Sequence, residues 1–233
     1  MQMKNLFKSF ITLVLTLTLI QAVSAGTVTK YYTVKEFSRL KVSSAFQAEF
    51  IHSNENKVVI EIDEDDADNV FVGNNNGEVT IKLKDYSNYH TSVMKAKVYG
   101  NSLSGIFVSG ASRFTSDYTF TEKEMNIKTS GASKAEIMMS AENLDIDLSG
   151  ASKLTIKGSA AKQTIDISGA SNYNGKDCKS TNIDIEASGA SKAILNCSNT
   201  LDAEASGASH VTYVSEPQKV SKSTSGASEV EPY

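Results

Sequence analysis

The sequence predicts an all-β chain, specifically a right-handed parallel β-helix (β-solenoid) with coils of about nineteen residues. Three observations predict it. Ser-Gly-Ala-Ser recurs seven times, its glycines being Gly110, Gly131, Gly150, Gly169, Gly189, Gly207 and Gly226, at spacings of 21, 19, 19, 20, 18 and 19. Around each motif apolar residues alternate with polar ones. Proline is confined to Pro217 and Pro232 in a chain rich in Ser, Thr, Ile and Val, a composition suited to strands.

The repeat defines the coil, because periods near twenty residues are the mark of stacked architectures. Around Gly150 one parity reads Leu144, Ile146, Leu148, Gly150, Ser152, Leu154, Ile156, while the other holds Asp145, Asp147 and Lys153. Around Gly189 the apolar set is Ile183, Ile185, Ala187, Ala193 and Leu195. This is the period of a strand with one dry face, and it excludes an amphipathic helix. A propeller blade would need about forty residues. The absence of a six-residue sub-repeat favours the right-handed over the left-handed solenoid. In such a stack the strand bends inward at glycine. The second serine of the motif points in, and the first serine and the alanine point out. Equivalent side chains form columns, Ile106, Ile127, Ile146, Ile165, Ile185 and Ala203 among them. Each buried isoleucine contributes roughly 1.5–3 kcal/mol.

Residues 27 to 108 keep the alternation without the clean motif. Leu40, Val42, Ser44, Phe46, Ala48 and Phe50 alternate inward, and Ser43-Ser44-Ala45-Phe46 reads as a decayed copy. Val58, Ile60 and Ile62 form a second strand. Val79, Ile81 and Leu83 form a third, after a turn at Asn74-Asn75-Asn76-Gly77. Asp63 to Asp68 is an acidic run expected in a solvated loop. The expected organisation is a signal peptide at 1–25 and a single solenoid domain at 26–233, irregular over 26–108 and regular over 109–233. A separate small β-domain in the first half is the alternative. At the last coil, Pro217 and Pro232 remove backbone donors that would otherwise template another strand.

Residues 1–25 have the three-part pattern of a secretory signal: Lys4 and Lys8, an apolar run from Phe10 to Ile20, and small residues Val23-Ser24-Ala25, with cleavage after Ala25. A retained membrane anchor is the alternative, against which the run is short. Removing this segment takes two lysines and no acid, leaving 21 basic and 27 acidic residues, net −6. That balance argues against nucleic acid or anionic lipid as partner.

No catalytic constellation is legible. His52, His90 and His210 lack metal-ligand spacing, no Gly-x-Ser-x-Gly elbow occurs, and serines repeated seven times serve structure. No cofactor is expected. Two outward columns carry charge. Three residues before each glycine stand Asp147, Asp166, Glu186 and Glu204; three after stand Arg113, Lys134, Lys153, Asn172, Lys192 and His210. Stacked carboxylates repel by only about 0.8 kcal/mol per pair in water, so a solvated face explains the ladder. A divalent cation held between neighbours is the sharper alternative. Cys178 and Cys197 are nineteen apart, one coil, and export would permit a disulfide between them. Their register is imperfect, nine and eight residues past their glycines, so stacked free thiols are the other reading.

The opening Leu40-Lys41-Val42-Ser43-Ser44-Ala45-Phe46 and the later Ser-Gly-Ala-Ser series resemble the head GIN domain family, also called putative auto-transporter adhesins and common in Bacteroidetes. The resemblance covers residues 34 to 228. It implies a right-handed β-solenoid, an envelope or secreted location and an adhesin-like role; it supplies no catalytic residues. A self-translocating autotransporter would need a C-terminal membrane barrel, for which no segment is seen. The expected function is therefore an exported non-enzymatic binding module of the cell envelope, its partner a polysaccharide or a cell-surface protein. The alternatives are a polysaccharide-active enzyme on a β-helix scaffold and a purely structural envelope protein.

Overall fold

The computed structural model describes residues 26–85 and 93–233. The expected signal segment and His90 lie outside them. Among the described residues, seventeen strands form one sheet wound into a solenoid. The first half comprises β1 (Thr27–Thr33), β2 (Arg39–Val42), β3 (Gln47–His52), β4 (Lys57–Asp63), β5 (Val70–Asn75), β6 (Glu78–Leu83), β7 (Met94–Gly100) and β8 (Gly105–Val108). The second comprises β9 (Arg113–Thr129), β10 (Lys134–Leu148), β11 (Lys153–Ile167), β12 (Asn172–Ala187), β13 (Lys192–Leu195), β14 (Cys197–Ala205), β15 (His210–Tyr213), β16 (Lys219–Thr224) and β17 (Glu229–Pro232).

The regular coils pair in parallel and in register, Lys134 with Lys153 and Leu148 with Ile167, for example. The isoleucine column forms as read: Ile106, Ile127, Ile146, Ile165, Ile185 and Ala203 are successive Cα partners, all buried. Leu40 extends it below, and Lys222 occupies the next position above. That lysine is exposed at the open end of the column and donates to the carbonyl of Val230 at 3.2 Å. A charge on an inward column discourages a further strand from adding.

The Ser-Gly-Ala-Ser corners hold the stack together. Their glycines have φ between +62° and +75°, the left-handed region in which a side chain is strained. They do not point into the core, as the alternation suggested, but lie exposed at the corner. A Cβ on Gly169 would stand 2.5 Å from the carbonyl oxygen of Gly150, and one on Gly189 2.6 Å from that of Gly169. Close approach lets the ladder run through the turn. The Ala170 N–H donates to Gly150 at 2.7 Å, that of Ala190 to Gly169 at 2.7 Å and that of Ala208 to Gly189 at 2.7 Å. The second serine is buried, as expected, in every copy but the last, where Ser228 is half-buried. In several copies its hydroxyl donates to the first serine's carbonyl, Ser171 to Ser168 at 2.7 Å and Ser209 to Ser206 at 2.9 Å, while Ser152 donates to the carbonyl of Thr129 at 3.3 Å and meets Ser171 of the next coil at 3.4 Å.

The decayed copy behaves as a corner. Ser44 and Ala45 have φ of 68° and 61°, and the Ala45 N–H donates to Gly110 at 2.8 Å. β2 and β3 thus lie under β8 and β9 in parallel. The rest of the first half differs from a run of irregular coils. β4 pairs antiparallel with both β1 and β7, and β5 with β6. For β5 and β6 the reason is local: Asn76 and Gly77 both take positive φ, which makes the tight hairpin that reverses the chain. The acidic run is no open loop but a 3₁₀-helix, Glu64–Asn69, with Asp66 buried. Buried apolar residues form one cluster from Tyr32 to Val230.

Gly169→Ala should cost about 1–3 kcal/mol from backbone strain alone, and more from the 2.5 Å contact. Ala170→Ser, outside the core, should stay within about 0.5 kcal/mol. Gly110→Ala should be milder, since the nearest atom to its Cβ would be the Ser44 nitrogen, at 3.1 Å. Urea unfolding of the three variants checks the order.

Candidate functional site

The outward lines before and after the corners from Gly150 to Gly207 differ in charge. Before the corner, the outward positions of β10, β11, β12 and β14 stack Asp147, Asp166, Glu186 and Glu204 in one line of Cα partners. Asp184 and Asp202 stack beside them, with Asp145 across Thr164. The first column was legible in the sequence; the second was missed, although the same alternation produces it. Lys128 pairs with Asp147 at 3.4 Å. A straight ladder holds its carboxylates side by side, which does not gather ligands at a point.

After the corner lies the basic line. Lys95, Gln47, Arg113, Lys134, Lys153, Asn172, Lys192 and His210 are successive Cα partners. The sequence placed all but Lys95 and Gln47, which belong to the irregular half. Beside it runs a second outward line, Lys97, Glu49, Thr115, Glu136, Thr155 and Asn174. Glu136 forms an ion pair with Lys134. The hydrogen bond from Lys134 holds the Glu136 carboxyl below its ordinary range, and the charges of Lys134, Arg113 and Lys153 add to this against desolvation. Between Lys95 and Lys97 on one side and Arg113 and Thr115 on the other is a shallow depression of about 190 Å³ over Gln47 and Glu49.

A metal-compatible cluster lies at the end of the basic line. His210, Glu229 and Glu231 bring one ligand atom each within 4.8 Å of one another. As placed, His210 Nδ1 faces Glu229 at 3.2 Å and Nε2 faces Glu231 at 3.5 Å, so the ring clasps the last two coils. Extending the basic line by one coil would have found Glu229. His52 instead stacks on Tyr118, rings 4.4 Å apart.

Cys178 and Cys197 are free, buried thiols, and the expected disulfide is not formed. Register explains it: the Cα partner of Cys197 is Ser180, not Cys178. The coil after Gly169 carries an extra residue between Asn174 and Asp177, and the next is the shortest of all. Excess followed by deficit slides the thiols past each other. Cys178 joins a buried polar set that the sequence did not reveal. Tyr173 donates to Gln163 Oε1 at 2.8 Å, and Gln163 Nε2 donates to Ser180 at 2.5 Å and approaches Cys178 Sγ at 3.4 Å. Burial pushes the Cys178 thiol up to about 11 and the Tyr173 phenol well above its usual value.

The architecture defines a class, a β-solenoid with extended charged faces. A family model, "putative auto-transporter adhesin, head GIN domain", matches residues 36–217, and the chain belongs to that family. No match is found among curated proteins. Among solved structures it is similar to a putative adhesin of Bacteroides fragilis, at 18% identity and TM-score 0.84, over 90% of this chain and 98% of that one. A putative adhesin of Parabacteroides distasonis aligns at 20% identity and TM-score 0.73, over 89% and 97%. A putative lipid binding protein of the same species aligns at 17% and 0.71, over 89% and 97%. Identities this low speak to the fold. No helix among the described residues is long and apolar enough to cross a membrane.

Burial makes the folded chain favour the neutral Cys178 thiol. The folded chain tolerates only the neutral thiol, so its stability is complete below the unfolded thiol's pKa, about 8.5, and falls as pH rises towards 11. Melting temperature should therefore drop between those values, less steeply in Cys178→Ala. Both thiols should react with an alkylating reagent only after denaturation.

Proposed function

We propose that the chain is an exported, non-enzymatic, adhesin-like binding module of the cell envelope, directed at polysaccharide or a cell-surface protein. One observation carries the reading: side chains of one kind stand in unbroken lines over successive coils. Lines of this sort suit contact spread over a long surface, whereas ligand pockets and catalytic sites are concave and converge on a few groups. The carboxylates that might have served as an acid and base belong to a ladder of equals, with no feature singling out two of them. The adhesin description of the family supports the same reading. Export is inferred from the basic, apolar and small-residue pattern of residues 1–25.

Intact cells expressing the full chain should adhere to envelope material and lose adherence when the gene is deleted. Protein recovered from outside the cytoplasm should begin at Gly26. Release of reducing ends from glycans, or no change in adherence on deletion, would contradict this reading.

A further inference from the structure

The basic line lies on a larger continuous face. Strand neighbours run β1, β4, β7, β3, then the first stretches of β9, β10, β11 and β12, then β13 and β15. Across that face Lys95, Lys97, Arg113, Lys134, Lys153 and Lys192 present six cations. Lys95 is paired with Glu61 at 3.2 Å and Lys134 with Glu136. Lys97, Arg113, Lys153 and Lys192 are exposed and have no ion-pair partner among the described residues. The same lines also carry Glu61, Glu49 and Glu136, three carboxylates against six cations, so they lean positive in a chain that as a whole is acidic. Beside the cations stand Thr115, Thr155 and Asn174, short side chains that donate and accept hydrogen bonds. At one end of the same face Tyr99 offers a ring beneath Lys57 Nζ, 4.7 Å from its centroid, and Tyr31 is exposed.

We propose that this face binds an acidic polysaccharide lying along the solenoid axis, its carboxylates meeting Lys97, Arg113, Lys134, Lys153 and Lys192 and its hydroxyls the threonines and Asn174. The proposal rests on the adhesive reading above and names its ligand and surface. Rung follows rung at about 4.8 Å, so the cations recur at intervals of one or two rungs. A polymer whose charge recurs at a sugar repeat can engage several together, whereas a folded protein presents carboxylates at irregular intervals. The acidic face across the corner repels the same polymer and confines it to this side. Nucleic acid is the less suited polyanion, since the line of cations carries no aromatic platforms for bases. Each exposed contact is weak, and affinity arises from several acting through one chain.

The test uses the full mature chain and immobilised polygalacturonate, with neutral dextran, single-stranded DNA and vesicles containing anionic lipid as competitors. The triple variant Lys134→Glu, Lys153→Glu and Lys192→Glu should weaken polygalacturonate binding by roughly tenfold or more, three exposed pairs each counting a few-fold. The triple variant Lys128→Glu, Lys162→Glu and Lys219→Glu carries the same change in net charge on the other side and should stay within about twofold. Binding should vanish near 1 M salt, where screening reaches ~3 Å. Equal losses in the two triples, preference for dextran, DNA or vesicles, or no polygalacturonate binding would overturn the proposal. If cell adherence persists in any of those outcomes, the adhesive function stands and only this face and ligand fall.

Discussion

The structure depends on one contact repeated at the last five corners: the amide of an alanine, from Ala151 to Ala227, donating to the carbonyl of the glycine in the coil before it. Elsewhere in a solenoid a turn interrupts the ladder and leaves polar backbone unpaired. Here the ladder passes through the corner at 2.7–2.8 Å from Ala151 to Ala227, because glycine admits both the left-handed φ and the approach of the next chain. With the corner fixed, each strand begins at a set distance from the last, and register follows. A slip of one residue would turn every isoleucine to water and every aspartate to the core.

From that register come both the core and the surface. Inward columns are apolar and interchangeable, with enough tolerance to hold Tyr173, Gln163 and two thiols where coil lengths differ. Outward columns of the later coils differ in charge on either side of the corner, mainly acidic before it and mainly basic after it. A binding face in this molecule is a consequence of repetition: a residue type chosen once per coil becomes a line several coils long.

How much was legible in the sequence follows from the same logic. The corners, the isoleucine column, both charged lines and even Ser43-Ser44-Ala45-Phe46 as a corner could be read, because each is a local pattern copied at a constant interval. The antiparallel strands β1, β4 and β5 could not. Their alternation is that of any strand, and direction is decided by the hairpin at Asn76-Gly77 and by which neighbour is free. The glycine orientation was misjudged because parity alone cannot tell a residue in a turn from one facing inward. The thiol register failed for a related reason: counting from a glycine assumes equal coils, and the two coils in question differ in length. His210 was read as the end of a basic line, while its meeting with Glu229 and Glu231 depended on a short final strand with no clean pattern of its own.

The central claim is that corners of consecutive coils are nearest neighbours in space. Paired cysteines at Ala151 and Ala170, introduced into a Cys178→Ser, Cys197→Ser background, test it directly. Their Cα separation should be close to the ~4.8 Å rung spacing, inside the 4.4–6.8 Å that a disulfide accepts. Oxidation should close that pair rapidly and leave a pair at Ala151 and Ala190, two rungs apart, open. Equal reactivity of the two pairs, or closure of the second alone, would contradict the stack.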